Sequence, residues 1–259
     1  MTIPTLHKNP SYSQTDVVVH GVKRMIIAGK LAAGDRLPIE KDLATELGVS
    51  RGSLREGVRA LCIMGVLETR QGDGTYVTSL ESSLLLAPMG FLVDLQTPQG
   101  GVHLQAVRRV LESEAAARAA LNIDDATIAE AEAILAGVEP LLGRSDTTHD
   151  AIMEADVAFH RVIARASGNP ALEALIEALA SRTVRGRMWR AITEDGAEQT
   201  THAEHRAVLS AVANHDPDTA RLRMGVHLLA VEDFLSAQAV AGTEASDTTA
   251  AEDKAAARQ

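Results

Sequence analysis

A single cysteine, Cys62, occurs in 259 residues, so no internal disulfide can form and a cysteine-rich zinc finger is excluded. Aromatic residues are scarce, at 2% of a chain that is 46% hydrophobic. Its core must be filled by Ala, Leu, Val and Ile, which favours close-packed helices over a β-sandwich. Long apolar runs are missing as well. The longest, Leu84 to Val93, is interrupted by Pro88 and Gly90 and is too short to span a bilayer. The opening residues, MTIPTLHKNPSYS, lack the apolar stretch of a signal peptide. These absences lead us to expect a soluble, cytoplasmic protein with no membrane partner. A basic excess is also absent: 25 Lys+Arg face 35 Asp+Glu, a net charge of −10. As a whole-chain figure this argues against binding phosphate backbones.

The charge is unevenly placed. Residues 1–80 hold 10 Lys+Arg and 8 Asp+Glu, a net of +2, whereas residues 81–240 hold 13 and 23, a net of −10. The remaining stretch, 241–259, holds 2 and 4 and has no large apolar stripe, so it reads as a disordered tail. Two domains are therefore expected, over residues 10–78 and 82–240.

Val18, Val22, Met25 and Ile26 recur at helical spacing and predict an amphipathic helix over 14–29. A second helix is expected from Ile39 to Leu47, stopped by Gly48. Ser50 then offers an N-cap to a third helix, which carries Leu54, Val58 and Leu61 on one face. Another face of that helix carries Arg51, Arg55 and Arg59. Two short runs, 66–70 and 75–78, flank Gly72-Asp73-Gly74 and predict a β-hairpin. Helix-turn-helix followed by a hairpin is the winged-helix layout. Arginines near a helix N-terminus fit the guanine edge in the major groove. Ser50 and Ser53 are short donors suited to phosphates, and Gly52 and Gly72 let backbone approach a duplex.

The pattern Leu37-Pro38-x-Glu40-x-x-Leu43-Ala44-x-x-Leu47-Gly48-Val49-Ser50-Arg51-x-x-Leu54-Arg55-Glu56, with Gly72 and Gly74-Thr75-Tyr76-Val77 downstream, resembles the GntR-family winged helix. The resemblance covers about residues 14–78. It implies a dimeric repressor or activator in which Lys41, Arg51 and Arg55 touch DNA and the wing tip at Gln71 and Gly72 reaches the minor groove. Gly52 and Gly57 are poorer helix formers than that family's usual residues, at a cost of up to about 1 kcal/mol each. Cys62 reads as a small core residue.

Beyond residue 82 there is almost no strand signal. Apolar stripes mark helices near 82–96, 102–121, 125–142, 149–167, 170–190, 197–214 and 216–238, an antiparallel bundle of about seven. The fold class is thus mainly α. Six of the nine histidines lie after residue 148. His149, His202 and His215 fall at element edges and are expected to face solvent. Asp156 and His160 share a helix face at i, i+4, while His205 and His227 lie on later helices. If those helices pack together, one carboxylate and three imidazoles converge on a set that suits Zn, Ni or Mn. Spacing alone does not separate this from ordinary hydrogen-bonded core histidines.

Five further stretches are similar to the FCD effector domain of the FadR subfamily, over about 102–230. They are Arg108-x-x-Leu111-Glu112, Asp156-x-x-Phe159-His160, Gly168-Asn169-Pro170, Glu204-His205-Arg206 and Met224-x-x-His227-Leu228. The resemblance implies that Asp156, His160, His205 and His227 hold a divalent metal, with zinc the leading choice and Ni or Mn alternatives. It argues against an acyl-CoA effector. Open coordination positions would take a small carboxylate, such as a sugar acid or a di- or tricarboxylate. Arg108 either clamps that carboxylate or pairs with Glu112 at i+4. Asn169 either caps the helix at Pro170 or lines the cavity, and Trp189 is core or cavity.

Two functions follow. The first is a metabolite-responsive regulator whose homodimer reads a near-palindromic operator. The alternative is a metal-dependent enzyme acting on a small organic acid. That alternative leaves the arginine helix without a role and lacks an obvious general base, so the expectation is that the chain is not an enzyme.

Overall fold

Ser13 starts the first helix through a reciprocal cap: its hydroxyl accepts from Asp16 N, and the Asp16 carboxylate accepts from Ser13 N. The computed structural model describes residues 13–94, 98–143 and 149–256. Helices α1 (Gln14–Ile27), α2 (Glu40–Leu47) and α3 (Arg51–Ile63) come first. Gly48 ends α2 at φ 69°, a left-handed position that favours glycine, and Ser50 caps α3 by accepting from Ser53 N at 3.1 Å. Strands β1 (Leu67–Arg70) and β2 (Gly74–Val77) form an antiparallel pair, with Leu67 opposite Val77 and Arg70 opposite Gly74. Val18, Val22, Leu43, Leu54, Leu61, Leu67 and Val77 form the buried core of this unit.

Gly57 has a packing reason that helix propensity misses. A Cβ there would lie 2.5 Å from Val18 Cβ and Cγ1, so α1 and α3 approach as closely as they do only because position 57 has no side chain. Gly52, by contrast, has only Ser50 Oγ near its would-be Cβ, at 3.7 Å. Cys62 is half-buried, with Sγ 3.8 Å from Thr69 Oγ1.

Among the described residues, seven α-helices follow the hairpin: α4 (Ser82–Asp94), α5 (Pro98–Asn122), α6 (Asp125–Val138), α7 (His149–Ala166), α8 (Pro170–Thr193), α9 (Ala197–Ala213) and α10 (Pro217–Ala256). The chain divides into two compact units between Pro88 and Met89. In the second unit α5 packs along α10, and α7 packs against α5, α6 and α8. Its core is built on Ala116, Ala119, Ala120 and Ala131 around Leu135, Phe159, Ile163, Val208, Met224 and Leu228. The scarcity of aromatics is thus expressed as an alanine-lined bundle with Phe159 at its centre.

Three element ends differ from expectation. Helix α5 begins at Pro98 rather than near 102, because proline at the first helical position leaves no unpaired N–H and has a preset φ. Helix α6 stops at Val138 and gives way to a 3-10 turn over Glu139–Leu141, where Pro140 cannot donate to the ladder. The expected disordered tail is helical backbone in the structure, as α10 runs on to Ala256. The sequence there is rich in alanine, the strongest helix former, and has no proline after Pro217. Residues 10–12 and 257–259 lie outside the described residues.

Candidate metal centre and nucleic-acid interface

In the first unit, basic residues stand on α2, α3 and the wing as well as on α1 and the loop before α2. Lys41, Arg51, Gly52, Arg55, Gln71 and Gly72 are exposed, and Ser53 is half-buried. Ser50 and Ser53 share a hydroxyl contact at 2.9 Å, so both serve the helix cap. Arg55 is held in place by Glu40, with Nε 3.0 Å from both carboxylate oxygens and Nη2 2.9 Å from Oε2. This hydrogen bond holds the Glu40 carboxyl below its usual range.

The wing is braced by contacts the sequence pattern did not suggest. The Arg36 guanidinium donates to the Asp73 carbonyl. Tyr76 donates its hydroxyl to Asp73 Oδ2 at 2.7 Å, and Arg70 stacks 4.1 Å above the Tyr76 ring. Residues 34–37 dock alongside β2, with Leu37 N donating to Thr75 O and Val77 N to Asp35 O, both at 2.8 Å.

In the second unit Asp156 and His160 on α7, His205 on α9 and His227 on α10 come together. All four are buried, and one ligand atom from each lies within 4.8 Å of the others. His227 Nε2 is 3.2 Å from His205 Nε2 and 3.3 Å from His160 Nε2. Asp156 Oδ1 is 3.6 Å from His205 Nε2 and 3.8 Å from His160 Nε2. An ion about 2.0–2.1 Å from each ligand separates neighbouring ligand atoms by roughly 3.0–3.4 Å, close to this spacing.

Outer groups fix the rings. Glu112 on α5 takes His160 Nδ1, and Glu204 takes His227 Nδ1 at 2.8 Å, which turns each Nε2 lone pair inward. Phe159 stacks on His205 with ring centroids 4.5 Å apart.

Burial would raise the Glu112 carboxyl, but Arg108 and His160 outweigh it and hold the group below the usual carboxylate range. Burial pushes all three imidazoles down: His160 against the pull of Glu112, His205 with repulsion from His227 and His160, and His227 to about 4. Neutral imidazole is the form a metal needs.

The same burial predicts a pH response for metal-stripped protein. In the unfolded chain each imidazole titrates near about 6.5. Between that pH and the lower folded value, the unfolded chain binds protons that the folded chain does not. The contribution is therefore complete above about pH 6.5 and is lost as pH falls toward 4. For His227 alone it amounts to roughly 3 kcal/mol. Melting of chelator-treated protein should shift downward from pH 7 to pH 5, and an unchanged midpoint would contradict these directions.

Other expected site residues are placed differently. Arg108 is buried and its Nε pairs with Glu112, in line with the ion-pair reading. The Asn169 side chain accepts from Ala171 N and Leu172 N, each at 3.2 Å, and so caps α8. Trp189 is 52% exposed. Of the three edge histidines, His149 meets Glu198 at 2.6 Å and His215 Nδ1 contacts the Ala120 carbonyl at 2.8 Å. His202 has its Nε2 buried, and burial lowers its pKa. Arg187 and Arg190 on α8 were not anticipated. Both are buried, and Arg187 forms an ion pair with Asp156 Oδ2.

A winged helix with exposed arginines, followed by an all-helical unit enclosing a polar buried cluster, defines a DNA-binding regulator with a sensor domain. Residues 14–77 match the model of the bacterial regulatory proteins of the gntR family, and residues 103–230 match the FCD domain. The chain is 32% identical over 217 residues to the HTH-type transcriptional regulator LutR of Bacillus subtilis, covering 82% of this chain and 96% of that relative. It is 27% identical over 222 residues to the HTH-type transcriptional repressor NanR of Escherichia coli K12, covering 84% and 82%. The solved Streptococcus agalactiae GntR structure superposes with a TM-score of 0.60 at 26% identity, covering 85% of this chain and 99% of that one. The chain belongs to the GntR family and carries an FCD domain. It is a transcriptional regulator and not an enzyme, which sets aside the organic-acid enzyme.

Proposed function

We propose that the chain is a repressor whose operator affinity is modulated by a small carboxylate bound at a divalent metal. The convergence of Asp156, His160, His205 and His227 carries this reading, because four buried donors with outer carboxylates on two of the rings suit a resident cation. Three imidazoles and one carboxylate favour zinc, with Ni or Mn as the other donor-compatible ions. When bound, the metal would act as a Lewis acid that attracts an anionic effector. On the DNA side, Arg51 and Arg55 read base edges, Lys41, Ser50, Gly52 and Ser53 approach the backbone, and Gln71 and Gly72 enter the minor groove. The winged-helix unit spans about residues 10–78 and the effector unit about 82–240.

The working form is a cytoplasmic homodimer on a near-palindromic site. Exposed apolar residues support self-association: Leu222, Val226 and Leu229 follow helical spacing on α10, beside Val107 and Val110 on α5, and each is 41–64% exposed. The repressor assignment follows the related HTH-type transcriptional repressor NanR. Among the described residues no helix is long and apolar enough to cross a membrane.

Native mass spectrometry of freshly purified protein tests the reading. Two chains with two divalent ions are expected. A monomer, or a dimer free of metal after purification without chelator, contradicts it.

A further inference from the structure

We propose that Arg187 and Arg190 of α8 form the carboxylate clamp of the effector site, and that the effector is a short acid of two to four carbons. The proposal rests on the metal–carboxylate reading above and adds who grips the anion and how large it is.

A cavity of about 40 Å³ opens directly beside the buried cluster. Asp156 and His227 form one wall, Arg187 and Arg190 another, and Thr201 and Val231 contribute from α9 and α10. Both arginines are buried, at 5% and 6% exposure. Arg187 Nη2 donates to the Ala180 carbonyl at 3.0 Å and Arg190 Nε donates to Glu194 at 2.8 Å. Arg187 Nε and Arg190 Nη1 are buried without a hydrogen-bond partner. Buried orphan donors are costly, and two guanidiniums three residues apart on one helix offer planar forks that fit a carboxylate. Arg108 does not line this cavity; its guanidinium engages Glu112, which in turn holds His160. Arg108 is therefore a positioning residue.

Size sets the ligand class. A cavity of this volume accommodates roughly three waters, about the bulk of a two- to four-carbon acid, whereas a six-carbon sugar acid would have to extend through its open side into solvent. Glu198 of α9 also lines the cavity and its carboxylate meets His149 Nδ1 at 2.6 Å; the rest of the lining, Ile152, Met153, Ala191 and Ala197, is apolar.

Calorimetric titration of the zinc-loaded, full-length protein with glycolate and with gluconate tests this, with zinc content measured in parallel. Glycolate should bind at least tenfold more tightly than gluconate. Arg190→Gln, which alters no proposed metal ligand, and Arg187→Gln should each weaken glycolate by about tenfold to a hundredfold, the worth of one charge-assisted hydrogen bond, with zinc retained in R190Q. Glycolate affinity within twofold of wild type in both variants overturns the clamp, and gluconate binding as tightly as glycolate overturns the size limit. A zinc-loaded wild type that binds neither acid defeats the clamp together with the carboxylate effector. A wild type that takes up no zinc defeats the metal reading itself.

Discussion

Replacing Arg51 and Arg55 together with Ala should lower affinity for an operator, selected in vitro by the wild-type protein, by at least about a hundredfold. Each good bidentate guanine contact is worth about 1–3 kcal/mol. The fold should hardly notice. The Arg55–Glu40 pair is a surface contact, with side chains 63% and 51% exposed, and such pairs contribute about 0–1 kcal/mol. Glu40 holds the Arg55 guanidinium in one orientation on α3. Metal content should be unchanged, because the cluster lies wholly within the second unit. Binding measured at two salt concentrations separates the contributions. Loss of a phosphate contact reduces the salt slope by about one per contact, whereas loss of a base contact relaxes sequence preference. Operator affinity within twofold of wild type would remove α3 from the recognition role.

The converse variant, His205→Ala, should abolish the response to small acids while DNA binding survives. Loss of an outer carboxylate typically costs 10–100-fold in metal affinity, and loss of a ligand imidazole should cost at least about a hundredfold. His205 is the cleaner choice of the three histidines. His160 also engages the Glu112 that pairs with Arg108, so its removal would leave an ion pair short of a partner in the core. His227 engages Glu204. Glu204→Gln is the graded companion: it keeps the shape, weakens the hold on His227 Nδ1, and should lower metal affinity by about 10–100-fold. Metal analysis after dialysis reads both variants. Stoichiometric metal retained in H205A would break the ligand set.

What the sequence disclosed follows the range of the interaction. The Ser50 cap, the Gly48 stop and the Gly-containing wing turn act over three or four residues, so spacing revealed them. Asp156 and His160 share one turn of α7 and were legible as a pair. Their meeting with His205 and His227 depends on how α7, α9 and α10 pack, and only the family resemblance suggested it. Arg187 was hidden because its partner Asp156 lies on another helix, 31 positions away in sequence (187 − 156). Glu204 adjoins His205 in sequence, and neighbours on a helix point about 100° apart. Glu204 points instead to His227 on the adjoining helix. Gly57 looked like a weakness in α3, and only the position of Val18 explains it.

The net charge of −10 is likewise a sum over unlike parts, since the arginine-bearing unit is slightly basic and the acidic excess belongs to the helical one. A net negative unit repels the phosphate backbone, while a net positive one attracts it.

In the proposed regulator, an acid held in the second unit changes the grip of the first. Such coupling requires the acid to favour one arrangement over the other and typically amounts to about 1–3 kcal/mol, or roughly 5–150-fold in affinity. The direct measurement is fluorescence anisotropy of the selected operator against zinc-loaded and chelator-treated protein, each with and without glycolate. At least a fivefold change in operator affinity on adding glycolate, seen only with the metal present, is the predicted result. An affinity indifferent to the acid in the zinc-loaded protein, or an equal change in the stripped one, would contradict it.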